Sequence, residues 1–448
     1  MARSGKRRQA PKGTTRTVSY GHGLREAIEK WFPGQFFSRW PVTAGSAWRP
    51  QRVFWLALLM VWSAEQTLQA RFAVSRQVLR SFFPKWSLGT SYTGWYEAQL
   101  KWLRPLRPAL IKRLQQQMQT LAGRHSRREG WCAFAVDGSR VECPRTRANE
   151  RQLKCAGRNK TGPQLFLTTL WHMGLGLPWD FRIGPGTASE RRHLEDMLPQ
   201  LPVQSLVVAD AGFTGYDLYR RILAAQQNFL LRVGSNVHLL RKLGAVEQEG
   251  RDTVYLWPEK HWHQPPVVLR LIEQSQGKKK MYLVTNVLDK EALSKKSAGV
   301  LYAMRWGVEV FYRSIKQTLQ RRRMLSRTPD AAQCELAWTL FGVWLLGLMS
   351  VAKIIGRGAD PLSWSAATAR ERVRHSMRLA LTGRRHDRAL AADLAYAIKD
   401  DYDRHRSKRA RDWPHKKTDK PPGNPIIQPA NAEQKRAIQR LKARKTAA

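Results

Sequence analysis

Three carboxylates in this chain have neighbours suited to phosphodiester chemistry. Asp137 follows the apolar run Trp131-Cys-Ala-Phe-Ala-Val136, and Asp210 follows Ser205-Leu-Val-Val-Ala209. Glu309 lies in Tyr302-Ala-Met-Arg305-Trp-Gly-Val-Glu309, with Lys316 beyond it, which gives the pattern Y-x2-R-x3-E-x6-K. At roughly 100° per residue, one helix places Tyr302, Arg305, Glu309 and Lys316 within about 60° of arc. That face carries an aromatic ring, a guanidinium, a carboxylate and an ammonium. Carboxylates are hard ligands that suit Mg²⁺, and a pair of such ions can activate an attacking hydroxyl and stabilise a leaving oxygen. The adjacent cations suit phosphate. Each acid alone is a weak signal, because an Asp-Gly after a strand is more often a turn. Order, element type and helix pattern together carry the reading. Sites in open α/β sheets form at strand C-termini. If the two strands are neighbours, Asp137 and Asp210 meet there, and Glu309 reaches them from a packed helix.

Composition points to the same kind of partner. The chain has 448 residues, with 78 Lys and Arg against 34 Asp and Glu, for a net charge of +44. Charge of that size implies a polyanion, nucleic acid being the commonest, with binding that weakens steeply in salt. An anionic membrane would require a basic amphipathic helix or an anchor, and neither is evident. Cys132, Cys143, Cys155 and Cys334 include no C-x-x-C pair, which argues against a zinc ribbon and fits a reducing compartment. His261 and His263 read as a loop pair. The basic N-terminus lacks the apolar core of a secretory signal. The uncharged run 336–352 approaches transmembrane length but reads as a buried helix.

The elements that must position the acids are legible as changes of period. Residues 1–20 read as a disordered basic arm. From 21 to 130 the pattern is helical, over 52–71, 75–83 and 92–121, and residues 70–77 read as a helix, a turn and a second helix. This region suits either packing or reading DNA through a helix in the major groove. Strands are expected over 131–136, 165–171, 178–183, 205–209 and 229–233, with helices over 189–198 and 216–226. The β-rich insertion spans 234–293, with strand-like runs over 254–257, 267–272 and 281–287. Helical residues continue to 399, and 400–448 reads as a basic disordered tail.

With these residues, the chain resembles the bacterial DDE transposases of the insertion-sequence-four family. The matching positions are Val136-Asp137-Gly138, Ala209-Asp210-Ala-Gly-Phe213 and the Tyr302/Arg305/Glu309/Lys316 signature, within about 131–350. The resemblance implies an α/β fold: an RNase H-like catalytic core over 131–355, a β-rich insertion before the last catalytic helix, and an all-α N-terminal domain that binds DNA ends. It implies that Asp137, Asp210 and Glu309 are catalytic and hold two Mg²⁺ ions, with Mn²⁺ as a substitute, and that Tyr302, Arg305 and Lys316 bind DNA. The implied reaction is cut-and-paste transposition, by hydrolysis and strand transfer at terminal inverted repeats. The implied partners are double-stranded transposon ends and target DNA, bound by a homodimer in a synaptic complex. The implied location is the bacterial cytoplasm, at the nucleoid and not at a membrane. One position departs: Met281 stands where the transposon-five enzyme has a Trp that stacks on a flipped base. The alternatives are an RNase H-fold nuclease or resolvase, which would nick without joining, and an inactive transposase-derived DNA-binding protein.

Overall fold

Helices with apolar faces build the first layer, the longest of them accommodating Pro105 and Pro108 in its interior. The computed structural model describes residues 23–156, 162–276, 279–382, 389–400 and 422–446. The expected arm 1–20 lies outside these residues, as does 401–421 of the expected tail. Helices α1 (Gly23–Trp31), α2 (Pro50–Trp62), α3 (Leu68–Phe82) and α4 (Tyr92–Ala122) come first. The expected 52–71 helix is divided, because α2 ends at Trp62 and Thr67 caps α3 by accepting from the Ala70 N–H. The expected turn within 70–77 is absent. With no Gly or Pro over 68–82, the segment runs as one helix and buries Phe72, Ser75, Val78 and Leu79.

Alternating and continuous apolar runs then form one mixed sheet. In chain order the elements are β1 (Ala133–Glu142), α5 (Arg147–Leu153), β2 (Gln164–His172), β3 (Leu177–Pro185), α6 (Glu190–Met197), β4 (Leu206–Ala209), α7 (Tyr216–Ala224) and β5 (Asn228–Val233). The insertion follows as β6 (His238–Arg241), β7 (Thr253–Leu256), β8 (Val267–Gln276) and β9 (Lys279–Thr285). Next come α8 (Lys295–Met304), α9 (Trp306–Arg313), α10 (Pro329–Gly356), α11 (Ala366–Leu381) and α12 (Ala389–Ala395), then β10 (Ile426–Pro429) and α13 (Ala432–Thr446). The sheet order is β10-β6-β7-β8-β9-β5-β4-β1-β2-β3. β1, β4 and β5 are parallel neighbours, and β2 and β3 continue antiparallel. The insertion is an extension of this sheet, because β9 pairs antiparallel with β5.

The tail departs from its expected disorder over 422–446. β10 adds in parallel to the edge strand β6, and α13 buries Ile438 in the shared core. Composition misses this because four residues of β10 gain order only from an existing edge. At the centre lies α10, long and apolar enough to cross a membrane yet mostly buried in the protein. Trp62 Nε1 donates to Gly342 O at 3.1 Å, and Phe181 of β3 meets Phe341 edge-on at 5.4 Å. The first helices, α10 and the sheet therefore share one core.

Candidate active site

The two aspartates are brought together by strand register. β1 and β4 pair Ala133 with Leu206, Phe134 with Val207 and Ala135 with Val208. Asp137 and Asp210 each stand two residues beyond the last of these pairs. Asp210 follows the end of β4, as the apolar run predicts, and caps a short turn, its Oδ1 accepting from Gly212 N–H at 2.8 Å. Asp137 does not end its strand. β1 continues to Glu142 because β2 extends the ladder past it, with Thr169 opposite Asp137. The pairing with β4 stops first, so the site opens on that side of β1. Asp137 Oδ1 accepts from Gly138 N–H at 2.8 Å, and Tyr312 Oη donates to its backbone carbonyl at 2.6 Å.

Glu309 reaches this point from α9, which lies against β1 and β2. Gly307 permits that approach, because a Cβ there would fall inside the Trp171 ring. The signature is not carried on one regular helix. The regular helix is interrupted for one residue at Arg305, between α8 and α9, and Ser314–Thr318, including Lys316, is a π-helical turn. A π turn winds more slowly than an α-helix, so Lys316 leaves the angle that a regular helix would give it. Three of the four side chains still meet. Arg305 Nη2 pairs with Glu309 Oε1 at 2.8 Å, and Arg305 Cζ lies 5.7 Å from the Tyr302 ring centroid. Tyr302 is buried, and burial followed by Asp210 raises its pKa against nearby Arg305 and Arg232. Burial, then Arg322, lowers that of Lys316, while Glu142 and Asp137 oppose the shift.

The electrostatics centre on Asp137. Burial, with Asp210 and Glu309 as like charges, pushes its carboxyl up to about 7 despite the Gly138 N–H and Arg305. Such a carboxylate lacks positive charge. Among the described residues, no three His, Cys, Asp or Glu side chains already form a group able to hold a metal ion, and Glu309 is turned onto its own Arg305. The donor set nevertheless fits a hard divalent cation in kind: oxygen ligands only, desolvated and mutually repelling.

A fourth carboxylate belongs to this geometry, and sequence patterning missed it. Glu190 opens α6 next to its cap, Ser189, where an acid ordinarily reads as a helix-end residue. Its carboxylate lies instead against Gly138 and Gly212, the residues beside the two aspartates. Burial, followed by Asp210, raises its pKa, against Arg140 and Arg191. Nothing in the sequence pattern announces this contact. An apolar cleft of about 470 Å³ lies along another face of α9, lined by Trp171, Trp306, Gly307, Val310 and Trp364, and includes none of the acids.

Comparison with known proteins covers the region that holds these residues. Residues 129–346 match the family model described as the transposase DDE domain. The transposase InsG for insertion sequence element IS4 from Escherichia coli (strain K12) is 27% identical over 221 residues, 46% of this chain and 50% of that protein. A Synechocystis sp. relative from insertion sequence element IS4SA is 20% identical over 190 residues, 41% of this chain and 53% of that protein. The chain thus spans about half the length of the curated relatives it matches. A solved piggyBac transposase synaptic complex with hairpin DNA aligns at a TM-score of 0.41 and 11% identity, covering 85% of this chain and 83% of that one. That likeness is too loose to carry detail. By the family model over 129–346 and by these two relatives, the chain is similar to the DDE transposases of the insertion-sequence-four family.

Proposed function

We propose that the protein is a DNA transposase that cuts at the terminal repeats of an insertion sequence and joins the freed 3′-OH to target DNA. The observation that carries this reading is the parallel register of β1 and β4, which brings Asp137 and Asp210 to neighbouring positions within the matched domain, with α9, which carries Glu309, packed on β1. Asp137, Asp210 and Glu309 would hold divalent cations, Mg²⁺ or Mn²⁺. Such ions, when bound, supply activation of the attacking hydroxyl and charge stabilisation at the leaving oxygen.

The chain's own residues do the positioning. Arg305 and Lys316 bind the phosphate flanking the scissile bond, and Tyr302 supports the Arg305 guanidinium with its ring. Two buried nitrogens of Arg305, Nε and Nη1, have no hydrogen-bond partner among the described residues, which suits them to an anionic ligand. A phosphate arriving there competes with Glu309, which holds Nη2, for the charge of Arg305 and loosens that carboxylate toward the aspartates. Binding of DNA and assembly of the acidic site are then coupled. The partners are double-stranded transposon ends and target DNA, bound by a homodimer in a synaptic complex, in the cytoplasm.

The test is cleavage of a labelled duplex carrying the element's terminal sequence in Mg²⁺, with wild type and Glu309→Gln side by side. The expected outcome is metal-dependent 3′-OH ends from wild type, none from the variant, and DNA binding by both. Binding by both without cleavage by either would make the protein a DNA-binding relative and not an active transposase.

A further inference from the structure

The geometry points to Glu190 as a fourth carboxylate of the metal-binding set, bridging the positions of Asp137 and Asp210 from the start of α6. The inference rests on the function proposed above. It is carried by the backbone around the carboxylate. A Cβ built on Gly138 would lie 2.5 Å from Phe166 Cζ and 2.8 Å from Glu190 Oε2. One built on Gly212 would lie 2.8 Å from Glu190 Oε1 and 3.0 Å from Asp210 Oδ1. The two residues that flank the aspartates therefore have no side chain where this carboxylate enters, and each of its oxygens faces one of them. Any other residue at either position would force Glu190 out.

Arg140 and Arg191 act on this carboxylate through space, but neither forms an ion pair or hydrogen bond with it. The nearby Arg191 is engaged elsewhere, its Nε donating to Gly212 O at 2.7 Å. Arg140 donates from Nε to Gly186 O at 3.2 Å and covers the Phe166 ring at 4.6 Å. Among the described residues Glu190 has no hydrogen bond or ion pair. A purely helix-stabilising acid gains its interaction at the exposed helix end and has no need to pack beside a second carboxylate. An acid so placed beside Asp210 becomes favourable once a cation sits between them. α6 rests on β2 and β3 through buried Leu194 and Met197, so the approach is fixed by the core.

The test is Mn²⁺ uptake by the full chain, read as free Mn²⁺ by electron paramagnetic resonance. Wild type is compared with Glu190→Gln, Glu309→Gln and, as a control, Glu195→Gln, whose carboxylate pairs with Arg221 at 2.8 Å on the same helix. Circular dichroism melts report folding. Glu190→Gln is expected to weaken Mn²⁺ binding by about ten-fold or more, with DNA binding retained and Glu195→Gln unchanged. Wild-type affinity in Glu190→Gln beside a weakened Glu309→Gln would overturn the role of Glu190 and leave the proposed function standing. A lower melting temperature with unchanged Mn²⁺ affinity would make Glu190 a helix-end residue only. A wild type that takes up no Mn²⁺ would overturn both readings.

Discussion

α9 and α10 follow one another along the chain and are built in opposite ways. α10 spans Pro329–Gly356 without a break and is apolar on nearly every face, with buried residues from Ala331 to Ile354. α9 is short, bounded by the interruption at Arg305 and the π turn at Ser314–Thr318. It buries Val308, Phe311 and Tyr312 while leaving Glu309 partly open beside Arg305. A helix buried all round can only hold neighbours together. A helix with irregular ends and one charged face can be adjusted by a ligand, at some cost in local stability. Each depends on a glycine to reach its neighbour, so the two can be broken separately.

The largest contrast is expected between Gly342→Leu in α10 and Gly307→Ala in α9. A Cβ at Gly342 would lie 2.6 Å from Val61 Cγ1, and overpacking there should cost about 1–3 kcal/mol or more in urea unfolding. DNA cleavage per folded molecule should persist. At Gly307 the Cβ would lie 2.1 Å from Trp171 Cη2, and α9 is expected to shift outward and carry Glu309 with it. Cleavage should fall by about 10²-fold, the scale for an ångström of misplacement, with a smaller loss of stability. Equal losses of stability with intact cleavage in both would erase the distinction between the helices.

A smaller effect is expected from pH. With the carboxyl of Asp137 at about 7 instead of its ordinary 3.8, the folded metal-free chain holds that proton more tightly than the unfolded one. The metal-free protein therefore loses stability as pH rises from about 4 to about 7. A divalent cation favours the ionised carboxylate and removes that loss. Mg²⁺ should raise the Tm more at pH 8 than at pH 5.5. Equal shifts at both pH values would place Asp137 outside the metal-binding set.

The smallest effect should come from the far edge of the sheet. α13 exposes Lys435, Arg436, Arg440 and Arg444, far along the sheet order from β1. If these side chains lie on DNA phosphates, removing 432–446 lowers the slope of log affinity against log salt by about 0.9 for each phosphate no longer neutralised. An unchanged slope would leave DNA binding to other basic surfaces.

Much of this was legible because some interactions are written locally. Apolar runs ending in Asp identify β1 and β4, and the spacing of Tyr302, Arg305, Glu309 and Lys316 identifies a charged helical face. The uncharged run 336–352 falls within α10 as a buried helix. β6 and β10 were not legible, since each carries only two aliphatic residues, Leu239 and Leu240 or Ile426 and Ile427, and they pair across almost two hundred residues of chain. Nor was the extent of β1 beyond Asp137, which β2 supplies.

The sequence by itself determined which residues could do chemistry and which segments would be apolar, since residue type and period act over neighbouring positions. Only the tertiary structure decided that Asp137 and Asp210 share a register, that Arg305 holds Glu309, and that Glu190 enters between Gly138 and Gly212. The first and last of these are relations between segments tens of residues apart, and the second depends on how α8 passes into α9. They are fixed by strand pairing and by the close approach that a missing Cβ allows, and no local pattern records either.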